Sequence, residues 1–187
     1  MFEEFKKSFK SFHKPEVICF TAMLTAISVV VQSFTFTISS LLQFSFTFLP
    51  VAISGVLFGS FPAMVVAASS DVISFLIRPR GDFFPGFTLN AAIMGLIYGI
   101  FFYSYCQCKS HKRKIFKIIF AEITINIVNG LAFTTLWLHI LYKTPIMAIL
   151  GTRLIKFLFT VPFNIIVLVL FFGVLENTIF KKIKKKY

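Results

Sequence analysis

The sequence predicts an all-α integral membrane protein, with six transmembrane helices in one bundle and the N- and C-termini in the cytoplasm. Three observations predict it. Of 187 residues, 57% are hydrophobic and only 14% are charged, whereas roughly a quarter are charged in soluble domains. Residues 17–70 contain no Asp, Glu, Lys or Arg. The cations behind the net charge of +12 sit in short blocks between apolar runs. So little charge cannot cover a surface in water, which excludes a soluble enzyme. The blockwise placement excludes a nucleic-acid partner, because it is the pattern of cytoplasmic loops and tails. The length suggests one domain.

Each element follows in order. A spanning helix needs about 20 mostly apolar residues. Six runs qualify: 17–36, 44–58, 63–77, 87–105, 115–142 and 146–175. The second and third are short, and Gly59, Ser60, Phe61 and Pro62 separate them with turn chemistry. Without that break one stretch would overshoot the bilayer. Residues 1–15 form a basic N-terminal segment. Phe2, Phe5, Phe9 and Phe12 recur in it at helical spacing, with Glu3, Glu4, Lys6, Lys7 and Lys10 on the other side. It reads as an amphipathic helix lying on the membrane or as a frayed basic tail. Residues 16–178 are the transmembrane domain and residues 179–187 a basic cytoplasmic tail.

Orientation comes from Lys and Arg. One block is Lys6, Lys7, Lys10 and Lys14, a second is Lys109, Lys112, Arg113, Lys114 and Lys117, and a third is Lys181, Lys182, Lys184, Lys185 and Lys186. Six helices place all three on one side, the cytoplasmic one. Arg78, Arg80, Lys143, Arg153 and Lys156 are left on or near the outer side, where the orientation rule disfavours them.

Ionisable groups inside spans are costly and face a cavity or a partner. The candidates are Asp71, Glu122, Arg153 and Lys156. Arg153, Lys156, Thr160 and Asn164 form one polar stripe on the last run. Arg153 and Asp71 lie at similar depth below the outer face, roughly 10 Å at helical rise. Two readings of Arg153 follow: an ion pair with Asp71, or a cation that waits with Lys156 for an anionic ligand from outside. Glu122, Asn126, Asn129, Phe133 and Trp137 stripe the fifth run. Glu122 lies towards the cytoplasmic end, where it snorkels or caps. Asn126 and Asn129 can be interhelical glue. Trp137 is an interfacial anchor or a stacking wall for a flat ligand. The outer loop at 78–86 combines cations, aromatics, two Pro and two Gly, which suits an anionic aromatic ligand or a solvated connector. Ala22 and Ala26 are small residues four apart, a weak signal for close helix approach.

No HExxH, GxSxG or phosphate-cradling motif is present, and His13, His111 and His139 are scattered. Cys19, Cys106 and Cys108 read as reduced thiols rather than metal ligands. The expectation is a non-enzymatic membrane protein with neither cofactor nor metal.

Three segments carry a resemblance: Phe44-Ser-Phe-Thr-Phe-Leu-Pro50 with Gly55-Val-Leu-Phe-Gly59 after it; Gly81-Asp-Phe-Phe-Pro-Gly-Phe-Thr-Leu89; and Thr135-Leu-Trp-Leu-His-Ile-Leu-Tyr142 with Arg153-Leu-Ile-Lys156 after it. With the six-helix count, the chain resembles over nearly its whole length the S components of energy-coupling factor vitamin transporters, the folate-specific branch above all. It departs from that pattern where Thr134 stands for an Asn, Gly151-Thr152 for a Pro-Pro pair and Phe157 for an Asn. These positions bear on the shape of the pocket.

The resemblance implies capture of folate outside the bacterial cell membrane and its release inside, driven by a coupling subunit and two ATPase subunits. It implies that Ala22 and Ala26 dock on the coupling subunit. It also implies that the outer loops near 37–43 and 78–86 close over the ligand, which brings Gln43, Phe44, Pro85 and Thr88 to it. Folate chemistry fits the residues. Phe84, Phe87, Trp137, Asn90 and Asp71 suit a flat pterin, while Arg80, Arg153 and Lys156 suit its carboxylates. The alternatives are an S component for another vitamin or a modified-base precursor, and a membrane protein whose polar stripes only join helices.

Overall fold

The structure is a computed structural model and describes residues 2–37, 43–79, 84–103, 105, 110–143 and 146–175. Its described residues are almost wholly helical. The elements are α1 (Phe2–Phe12), α2 (Pro15–Ser33), α3 (Phe48–Phe58), α4 (Ser60–Ile77), α5 (Pro85–Phe102), α6 (His111–Ile125), α7 (Thr134–Tyr142) and α8 (Ile146–Leu175). A π-helical segment, Asn126–Phe133, runs α6 into α7. Between α2 and α3, a two-residue strand β1 (Phe36–Thr37) pairs antiparallel with β2 (Gln43–Phe44), Phe36 opposite Phe44.

Among the described residues, five helical stretches are long and apolar enough to cross a bilayer: Pro15–Ser33, Ser60–Ile77, Pro85–Phe102, Lys112–Leu141 and Ile149–Leu175. The helix α3 is apolar but shorter, 11 residues, or roughly 16 Å at helical rise. The sequence predicts a helix from residue 44, and the structure starts it at Phe48. The intervening hydroxyls explain the delay. Ser45 Oγ bonds Thr47 Oγ1 at 2.6 Å and accepts the Thr47 N–H at 3.3 Å, a local turn that competes with the helix. The predicted break between α3 and α4 narrows to Gly59 alone, at φ 90°, a conformation open to glycine. Ser60, Phe61 and Pro62 join the first turn of α4, where a missing proline N–H costs nothing.

The sequence pattern left α1 on the membrane surface or frayed, and the structure docks it on this junction. Phe61 receives Phe5, Phe9 and Phe12 edge-on, at centroid distances of 6.1, 4.8 and 5.1 Å. Buried Ser8 donates to the Phe58 carbonyl at 2.8 Å and accepts the Phe61 N–H at 3.2 Å. One hydroxyl thus satisfies a carbonyl at the end of α3 and an amide at the start of α4.

The tightest crossing joins α4 to α5. A Cβ at Gly95 would lie 2.3 Å from the Ala63 carbonyl oxygen, and one at Gly99 would lie 2.2 Å from Ser60 Cα. Small residues four apart let the two backbones touch. Around this crossing Val51, Val66, Tyr98, Phe102, Ile118, Leu168 and Phe172 form a core shared by α3, α4, α5, α6 and α8. Met23, Val30, Leu76, Phe116, Leu158, Leu170 and Val174 point outward, exposed. Such an apolar exterior suits lipid and not water. This is a multi-pass membrane bundle.

Candidate functional site

The polar stripe of α8 faces into the bundle. Lys156, Thr160 and Asn164 line a cavity of about 330 Å³. Arg153 and Lys156 line a second, of about 200 Å³. Both cavities share Met94, Ile125, Asn126 and Lys156 as walls, so they are adjoining lobes with Lys156 at the waist. The rest of the larger lobe includes Gln32 in the last turn of α2, Thr35 after it, Ser45 and Thr47 before α3, Tyr98 of α5 and Glu122 of α6.

Glu122 is fully buried. It accepts the Tyr98 hydroxyl proton, the Asn164 amide at 3.1 Å and the Asn126 amide at 3.4 Å. The sequence expectation of a snorkelling or capping residue is corrected here. The helix starts four residues before the apolar run, so Glu122 sits roughly 16 Å along it, too deep to reach either end.

The smaller lobe is built on Asn90. Its Nδ2 donates to Thr134 Oγ1 at 3.2 Å, and its Oδ1 accepts Trp137 Nε1 at 3.2 Å. Its backbone carbonyl accepts Asn129 Nδ2 at 2.8 Å. The π segment brings Asn126, Asn129 and Gly130 to the same lobe, joined by Thr134 at the start of α7. Wider π turns keep successive polar residues on one wall, and such segments recur at functional sites. Beside this lobe, Trp137 packs against Phe84 at 5.4 Å and Phe133 at 6.5 Å, and Phe84 meets Phe87 at 5.9 Å. Gly86 makes room, since a Cβ there would lie 2.3 Å from the Phe84 ring.

Asp71 accepts the Thr88 hydroxyl at 2.8 Å, a bond across the α4–α5 seam. The Asp71–Arg153 ion pair is not formed. Among the described residues neither Arg153 nor Lys156 makes a hydrogen bond or an ion pair.

A family model for the ECF transporter substrate-specific component matches residues 17–172. The chain belongs to that family. This S component is 34% identical over 155 residues to a folate transporter FolT of Clostridium novyi, covering 83% of this chain and 87% of the relative. It is 29% identical over 149 residues to a folate transporter FolT of Leuconostoc mesenteroides, covering 77% of each. A crystal structure of FolT bound with folic acid superposes with a TM-score of 0.70 at 32% identity, covering 82% of this chain and 90% of that one.

The S component gathers Asn90, Arg153 and Lys156 on its cavity walls. Trp137, Phe84 and Phe87 stand behind Asn90 as an aromatic cluster. Asp71 and Thr88 pair with each other and line neither lobe among the described residues. Pro85 opens α5 with its side chain exposed. Gln43 and Phe44 are described through their backbone pairing alone. Arg80 lies outside the described residues, as do Cys106, Cys108 and the tail at 179–187. Sequence reasoning missed Tyr98, a phenol on the turn after Asn90 and Met94 in an apolar run. It read Asn126 and Asn129 as possible glue: Asn129 bonds the distant Asn90, whereas Asn126 bonds Glu122 one turn back on its own helix. Arg78 finds a use at the C-terminal end of α2, where its Nη1 donates to the Ser33 carbonyl at 3.2 Å.

Proposed function

We propose that this chain binds folate as the S component of an importer in the bacterial cytoplasmic membrane. It takes folate from outside, and a separate coupling subunit with two ATPase subunits drives release inside. The observation that carries this is the pair Arg153 and Lys156, set into cavity walls without an acidic partner among the described residues. Cations kept at such depth suit a ligand that brings its own carboxylates. The aromatic cluster at Trp137 and the amide-lined lobes suit the aromatic rings of folate, one of which carries a hydrogen-bonding edge. The names of the relatives support the same ligand.

The topology belongs to the proposal. Six passes, counting α3, put the basic blocks at residues 6–14, 109–117 and 181–186 in the cytoplasm. Arg153 is then nearer the outer face than Asn164. Residues 1–15 are the basic amphipathic N-terminal segment that contains α1, 16–178 the binding domain and 179–187 a cytoplasmic tail. Ala22 and Ala26 are exposed on α2 and line an apolar groove of about 600 Å³ with Val65 and Ile73 of α4, which takes the coupling subunit.

Equilibrium binding of labelled folate to the purified chain tests the reading. Submicromolar binding that weakens about tenfold or more in Arg153→Ala is expected, from the loss of one charge-assisted contact. No folate binding at micromolar concentration, with tight binding of another vitamin, overturns the ligand assignment.

A further inference from the structure

The larger lobe has a hydrogen-bonding polarity that a single buried group dictates. Glu122 is a carboxylate met by three donors: the Tyr98 hydroxyl and the Asn126 and Asn164 amides. Its Oε2 accepts both amides, so both asparagines turn their NH2 groups towards it. The amide of Asn126 is fixed twice, because its Nδ2 also donates to the Glu122 backbone carbonyl at 2.9 Å. A planar amide that aims its nitrogen one way aims its oxygen the other. Each Oδ1 is therefore turned away from Glu122, and both side chains line the lobe. Neither Oδ1 accepts a hydrogen bond among the described residues. Thr160, one turn from Asn164, lines the same lobe, and its buried hydroxyl has no partner among the described residues.

We propose that Glu122 is a positioning residue that sets Asn126 and Asn164 as paired carbonyl acceptors for the N–H edge of the ligand's ring. The inference rests on the folate reading and deepens it. The edge in question is the ring N–H and adjacent amino group of the pterin pyrimidinone. The two lobes then differ in character. The Glu122 lobe offers acceptors to a donor-rich head, and the Arg153 lobe offers cations to a carboxylate tail, with Lys156 between them. Folate has one orientation that satisfies both, ring inward beside Asn164 and tail outward beside Arg153. Glu122 borders the lobe but has no exposed surface, and its oxygens are already engaged by three donors, so it governs selectivity through the two asparagine oxygens.

The test compares folate with an analogue lacking the 2-amino group, by equilibrium binding to the purified full chain. Wild-type protein should prefer folate by about ten- to a hundredfold, since the analogue leaves a buried acceptor unpaired. Glu122→Met keeps the length of the side chain but offers no acceptor, so the Asn164 NH2 group loses its partner and its Oδ1 is no longer fixed towards the lobe. The preference should then shrink to within about threefold, by loss of folate affinity. Glu122→Asp retains the carboxylate and should keep the preference even where both affinities fall. Should Glu122→Met fail to fold, Asn164→Ala removes one acceptor directly and should shrink the preference likewise. A preference unchanged in whichever of these two variants folds overturns the inference while folate binding stands. Wild-type protein that binds neither compound overturns the folate reading and the ring assignment with it.

Discussion

Arg153 and Lys156 are two cations three residues apart on one apolar helix. On insertion scales each costs roughly 2.5–3.5 kcal/mol at the bilayer centre. No acid among the described residues offsets that cost, so the empty protein is less stable for keeping them. Local rules broken without compensation mark functional positions. Arg153→Leu should therefore act in opposite directions on two measurements. Thermal unfolding of the ligand-free protein should move up, and folate affinity should fall about tenfold or more. A lower unfolding temperature with affinity intact would make Arg153 structural. Asp71 gives the contrast. Its carboxylate is engaged by Thr88, and Asn retains an acceptor oxygen for that bond. Asp71→Asn should leave folate affinity within about threefold, and a loss of tenfold or more would place Asp71 at the ligand.

At the scale of elements, the connection of α1 to the α3–α4 break is carried by Ser8. Ser8→Ala leaves the Phe58 carbonyl and the Phe61 N–H unpaired in a buried place, at a cost of about 1–3 kcal/mol. The unfolding temperature should fall while folate affinity stays within about twofold, because Ser8 lines neither lobe. An affinity loss as large as that of the Arg153 variant would tie α1 to the site. How far such elements were legible in the sequence depended on what holds them. Apolar length alone placed α8, and its stripe of Arg153, Lys156, Thr160 and Asn164 was readable because an unbroken helix repeats predictably. The π segment was not readable, since hydropathy does not distinguish a bond to the fifth residue back from one to the fourth. That is why Asn129 and Thr134 escaped notice as neighbours of Asn90. Ser8 was equally hidden: both of its partners are backbone groups some fifty residues away.

For the molecule as a whole, the binding cavities and the groove on α2 are separate surfaces. The groove is walled by Ala22, Ala26, Val29, Val30, Val65 and Ile73 among others, and none of its lining residues lines either lobe. A single exchange can therefore uncouple transport from capture. Ala22 is exposed on α2, so a large side chain there meets no core atom and only fills the groove. Ala22→Trp should leave the folate affinity of the purified chain within about twofold and the unfolding temperature unchanged. Uptake of labelled folate by vesicles that also hold the coupling and ATPase subunits should fall to background. The sign of the result separates three cases. Binding kept and uptake lost identifies the groove as the docking face. Binding and uptake both kept removes the groove from transport, and the coupling subunit must meet another side of the bundle. Binding lost together with uptake shows that α2 shapes the cavity through its far end, where Gln32 and Thr35 line the larger lobe.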